Sequence, residues 1–172
     1  QVLSPLVNTL AATGRADEAL QEIESALSSN PQSNSLWSMR ASMTSHNLQS
    51  TTEVIERWMA AMPDSAQAHE AYAQMLEKIG QLDAAEINAD IALAIQQNLP
   101  FAQFIKLRAE IRSQPKAALQ RLDMLEKVAT NAESQRMVFA WRGVTHDKLK
   151  QYDKAAESFL QMAARPLDQH RL

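Results

Sequence analysis

Three short stretches of this chain share one grammar, and that recurrence restricts the fold more than any other feature. They are Gly14-Arg15-Ala16-Asp17-Glu18-Ala19-Leu20, Gly80-Gln81-Leu82-Asp83-Ala84-Ala85-Glu86 and Lys150-Gln151-Tyr152-Asp153-Lys154-Ala155-Ala156. Each has a turn residue, a short linker, an acidic residue near a new helix start and a small residue two places on. A left-handed residue between two helices suits glycine, and an aspartate at a helix start complements the helix dipole. The small alanine lets two helices approach closely. One helical hairpin cannot bury its apolar face alone, so a chain built this way must stack several of them.

Composition agrees. The chain holds only 3 glycines in 172 residues, against a norm of about 7%. Helices disfavour glycine, whereas most strands, turns and phosphate loops need it. With plentiful alanine, leucine and glutamine and only 6 prolines, the expectation is an all-α chain. Apolar stretches are broken by polar residues every few positions, so no segment is suited to crossing a bilayer. A net charge of −3 and a pI near 5.8 argue against a nucleic-acid partner, which lysine and arginine would have to neutralise. There is no cysteine, which excludes disulfides, thiolate nucleophiles and cysteine-bound zinc, and a cytoplasmic setting is favoured. The chain opens on Gln1 without a basic-then-apolar signal segment, and it reads as a piece of a longer protein.

The recurring stretches resemble the tetratricopeptide repeat, whose signature is Trp-x2-Leu-Gly-x2-Tyr, then Ala-x3-Phe, then Pro, at a period of about 34 residues. Repeat one supplies Leu3, Leu6, Val7, Leu10, Gly14, Ala19, Ile23, Ala26 and Pro31. Repeat two has Trp37, Ala41, Ile55, Trp58 and Pro63, and repeat three has His69, Tyr72, Ala73, Gly80, Ala85, Ala89 and Ala92. Repeat four keeps Phe104, Leu107, Ile111, Ala118 and Leu122, and repeat five Phe139, Gly143, His146, Ala155, Phe159 and Met162. The first signature slot falls at Leu3, Trp37, His69, Phe104 and Phe139, in steps of 34, 32, 35 and 35. Repeats two and four are two residues shorter before the small residue, which implies shortened turns. In repeat two, His46-Asn47 stands for the turn glycine, because asparagine tolerates the left-handed conformation, and Ser50-x-x-Glu53 reads as a capping box. In repeat four, Pro115 suits a first helical position. The resemblance implies about ten antiparallel helices in a right-handed α-α superhelix. The repeats lie near 1–33, 34–65, 66–100, 101–135 and 136–164, with 165–172 as tail or linker.

In such a stack the signature residues pack, and the remaining positions of first helices line a concave face. In repeat two these read Ser35, Ser38, Ser42 and Ser45, and in repeat three Gln67, Glu70, Gln74 and Glu77, one stripe each at helical spacing. Repeat four gives Ala102, Ile105, Ala109 and Arg112, and repeat five Met137, Ala140, Val144 and Asp147. These stripes are either solvated helix faces or the seat of a partner segment. On the second reading the partner-binding residues are Ser38, Ser42, Glu70, Gln74, Glu77, Ile105, Arg112 and Val144. The family's grip on chaperone-tail carboxylates is missing: Asn8 fits one asparagine slot, but Ser4, Gln67 and Ala71 stand where basic residues would be needed.

Charge is uneven. Residues 1–100 hold 4 basic and 12 acidic residues, and residues 101–150 hold 10 basic and 5 acidic. Catalytic patterns are missing. His69-Glu70 opens like a zinc-protease motif, but Ala73 occupies the place of its second histidine. There is no glycine-rich phosphate loop and no nucleophile elbow. Neither a catalytic residue, nor a cofactor, nor a metal is expected, and His69 and His146 are read as packing residues. The expected function is a protein-interaction scaffold that takes a peptide or partner segment in the concave groove. The alternative is an N-terminal accessory domain of a larger enzyme, since Arg165-Pro166-Leu167 resembles the junction of sulfotransferase-like proteins. Apolar residues Tyr152, Phe159 and Leu160 near the C-terminal end lead us to expect a following domain there, or self-association through that end.

Overall fold

The computed structural model describes residues 3–165. Among them are ten α-helices: α1 Leu3–Ala12, α2 Ala16–Ser29, α3 Asn34–Met43, α4 Leu48–Ala61, α5 Ala66–Lys78, α6 Leu82–Ile95, α7 Pro100–Ser113, α8 Pro115–Val128, α9 Ala132–Lys148 and α10 Tyr152–Ala163. No strand occurs among the described residues, and the fold is all-α. The described residues form two compact units that divide between Ile105 and Lys106.

In the first unit the apolar periodicity of each helix faces inward. On α2, Ala19, Ile23 and Leu27 repeat every fourth residue and are buried, while Asp17, Glu18, Gln21 and Glu22 face water. On α6 the buried residues are Ala85, Ala89 and Ala92, in steps of four and three. These small side chains bring α6 against α5, where Ala73, Met75 and Leu76 complete one core cluster. A second cluster joins Leu10, Ile23, Trp37, Val54 and Trp58. The signature slot also makes a polar contact. The Trp37 indole N–H donates to the Pro31 carbonyl at 2.9 Å. His69 repeats the bond from Nε2 to Pro63 at 3.0 Å, with Nδ1 3.1 Å from the Asn88 side-chain oxygen. Both ring nitrogens of His69 are thus used inside the fold.

The three turns that share a grammar share a geometry. Gly14, Gly80 and Lys150 adopt φ of 78°, 79° and 58°. The next residue in each case, Arg15, Gln81 or Gln151, donates its N–H to the carbonyl five residues back at 2.9 Å. This is the Schellman closure of a helix end, which requires a left-handed residue. Repeat two departs from expectation. Asn47 is not left-handed but sits at φ −123° and caps α4, accepting the Ser50 N–H at 3.0 Å. Ser50 therefore lies inside the helix and starts no capping box. The missing residues come from α3, which ends at Met43, and not from the turn. In repeat four a single residue, Gln114, separates α7 from α8, and Pro115 takes the first helical position.

Ion pairs tie the helices at their rims. Arg57 grips both oxygens of Glu24 at 3.0 and 2.9 Å, and Arg40 donates to the same carboxylate at 2.8 Å. The Arg57 guanidinium, seconded by Arg40 and opposed by partial burial, holds the Glu24 carboxyl at about 2. In the second unit Arg121 joins α8 to Glu110 of α7 at 2.6 Å, and Arg142 of α9 reaches Asp123 and Glu126 of α8. Gly143 has no room for a side chain, since a Cβ there would stand 2.5 Å from the Phe159 ring. Phe159 remains 39% exposed, and Tyr152 and Leu160 of α10 are exposed as well. Of the junction Arg165-Pro166-Leu167, only Arg165 is described, stacked 4.0 Å from the centre of the Phe139 ring; the other two lie outside the described residues.

Two stability changes follow. Ala85 is 1% exposed, so Ala85→Leu overfills the α5–α6 contact and should destabilise by about 1–3 kcal/mol in denaturant titration. Lys150 holds the left-handed conformation without being glycine. Lys150→Gly should therefore stabilise by about 0.5–1 kcal/mol, because that conformation strains an L side chain. An unchanged or lower denaturation midpoint for Lys150→Gly would mean that the turn carries no strain.

Candidate interaction groove

Within the first unit, α3 and α5 present a concave groove of about 740 Å³. Its α3 side carries Ser35, Ser38 and Ser42, continued by Ser45 in the turn, and its α5 side carries Gln67, Glu70, Ala71, Gln74 and Lys78. Trp58, Ile55 and Met75, which also belong to the core, form the base. Phe101, 57% exposed, stands at one edge.

Two hydrogen-bonded systems fix the walls. In the first, the Asn34 side-chain oxygen accepts from the Trp58 indole at 3.0 Å and the Ser65 hydroxyl at 2.5 Å. Its amide donates to Gln67 at 3.2 Å, and Gln67 donates to Gln96 at 3.0 Å. The chain links α3, α4, α5 and the end of α6, and each member orients the next. In the second, Glu70 accepts the Ala102 N–H at 3.0 Å across 32 residues of sequence. Ala102 is the third residue of α7, whose first backbone N–H groups have no intrahelical acceptor. Leu99, just before the helix, has no side-chain acceptor to offer. Glu70 takes over that task from a distance and favours the positive end of the helix dipole.

Three serines elsewhere in the chain bond within their own helices. Ser28, Ser113 and Ser158 donate to the carbonyl one turn back at 2.9, 3.0 and 2.8 Å. The side chains of Ser35, Ser38, Ser42 and Ser45 have no hydrogen-bond partner among the described residues and face the groove.

Four of the eight residues expected to bind a partner thus share this groove: Ser38, Ser42, Glu70 and Gln74. Glu77, half-buried at the next position of the stripe, lies outside the lining. The assignment of Ile105 is corrected, because it is 3% exposed and belongs to the hydrophobic core. Ala102 and Ala109, of the same expected stripe, are buried as well. Arg112 and Val144 are exposed in the second unit. The sequence reading missed Asn34, whose signal was its register 33 residues before Gln67, and Phe101, an aromatic in the first turn of α7.

No protein-family model matches the chain, and no curated protein matches it by sequence. Solved structures do match its fold. MamA is similar at TM-score 0.70 and 13% identity, over 92% of this chain and 93% of that one. PilW, described as a type IV pilus biogenesis factor, is similar at TM-score 0.70 and 19% identity, over 96% and 78%. YrrB, described as a TPR protein with an unusual peptide-binding site, is similar at TM-score 0.68 and 15% identity, over 97% and 86%. At such identities the likeness carries architecture alone, and the architecture is the tetratricopeptide-like helical solenoid.

Proposed function

We propose that this chain is a non-catalytic protein-interaction scaffold whose first unit holds an extended partner segment in the groove between α3 and α5. The observation that carries the reading is the row of four serine hydroxyls, without partners among the described residues, lining a concave surface. An extended peptide has main-chain N–H and C=O groups that need partners when water is displaced. Hydroxyls donate and accept alike, so such a row suits main-chain contacts with little demand on the partner's side chains. Hydrogen-bonded walls support the reading further, since a groove already fixed loses less conformational entropy on binding. The peptide-binding site ascribed to YrrB is consistent with it.

The test is photo-crosslinking in cells that express the protein, with benzoylphenylalanine placed singly at Ser38 and Gln74 in the groove and at two exposed positions outside its lining, Ser25 of α2 and Ala94 of α6. A discrete adduct from the two groove positions and none from the outer pair is expected. Adducts confined to Ser25 and Ala94 would overturn the reading.

A further inference from the structure

We infer that the groove selects a basic side chain, arginine above all, and that Glu70 and Phe101 receive it. The inference rests on the groove reading above and adds the chemistry of the occupant.

Three observations converge on it. First, Glu70 is only 9% exposed, yet it borders the groove. One carboxylate oxygen is taken by the Ala102 N–H; the other has no hydrogen-bond partner among the described residues. An ionised carboxylate has about four acceptor sites, and one whose second oxygen stays open at a groove wall suits a donor that carries positive charge. Second, Phe101 precedes Ala102, so its exposed ring flanks the helix start that Glu70 caps. Guanidinium groups stack on aromatic faces while donating in their own plane. A carboxylate and an exposed ring that line one groove therefore match arginine better than they match a neutral side chain.

Third, the unit has the opposite charge to such a partner. Residues 1–105 contain 12 acidic and 4 basic residues. Three of those cations are already engaged, Arg15 with Glu18 and both Arg40 and Arg57 with Glu24. The fourth, Lys78, lines the groove eight residues beyond Glu70 on the same helix. That spacing is about 12 Å along the axis, more than the screening length of about 10 Å at 0.1 M salt. Lys78 is thus largely screened from Glu70.

Three pools of nonapeptides, identical except for a central arginine, citrulline or glutamate, provide the probe. They are titrated into the ¹⁵N-labelled chain and followed by amide shifts. Citrulline keeps the shape of arginine without its charge. The arginine pool should shift Glu70, Gln74, Phe101 and Ala102 and bind at least tenfold more tightly than the citrulline pool. Glu70→Gln keeps an oxygen for the Ala102 N–H and should erase that preference, whereas Glu22→Gln, which removes the same charge on α2, should leave it. Equal binding of the arginine and citrulline pools at α3 and α5 would overturn the inference and leave the groove reading standing. No shift on α3 or α5 from any pool would overturn both. The comparison of pools on the unaltered chain decides the matter even if Glu70→Gln weakens the fold.

Discussion

Close approach of helices is the constraint from which the rest follows. Ala19, Ala85 and Ala89 are almost wholly buried because neighbouring backbones come too near for anything larger. That approach consumes the inward stripe of every helix in the first unit. It leaves the free side of the first helices as the place where sequence is not dictated by packing. On α3 that side is serine, and on α5 it is glutamine and glutamate. The groove is a by-product of stacking, while its chemistry belongs to the residues that stacking does not specify.

Much of the fold was legible because its punctuation obeys local rules. Gly14 and Gly80 announce left-handed turns, and Lys150 was found only because the surrounding stretch copies theirs. Pro115 sits where its missing N–H costs nothing. Asn47 was misread because asparagine satisfies two local roles equally well, the left-handed turn and the helix cap. Which one applies depends on where α3 ends, and α3 ends early at Met43. His69 was placed correctly as a packing residue, though its bond to the Pro63 carbonyl was not visible in the pattern.

The groove was only half legible, for a physical reason. Helical spacing says which residues share a face, but not whether that face meets water or another helix. For Ser38 and Ser42 polarity decides the question. For Ile105 and its neighbours Ala102 and Ala109 the apolar stripe is as consistent with a core as with a binding surface, and burial shows the core. Glu70 exposes the limit most clearly. Its partner Ala102 is 32 residues away, and no local pattern reports a donor at that distance.

Glu70 also links the two halves of the account, since one carboxylate caps a helix and borders the groove. If the groove is prebuilt, that hydrogen bond is present without any ligand. Hydrogen exchange at the Ala102 amide measures it directly. The third N–H of a helix normally exchanges fast, for want of an intrahelical acceptor. Protection at Ala102 comparable with the interior amides of α5, lost in Glu70→Ala and largely kept in Glu70→Gln, is the expected result. Exchange as fast as in a frayed helix end in the unaltered chain would contradict the account, for the wall of the groove would then not be fixed before a partner arrives.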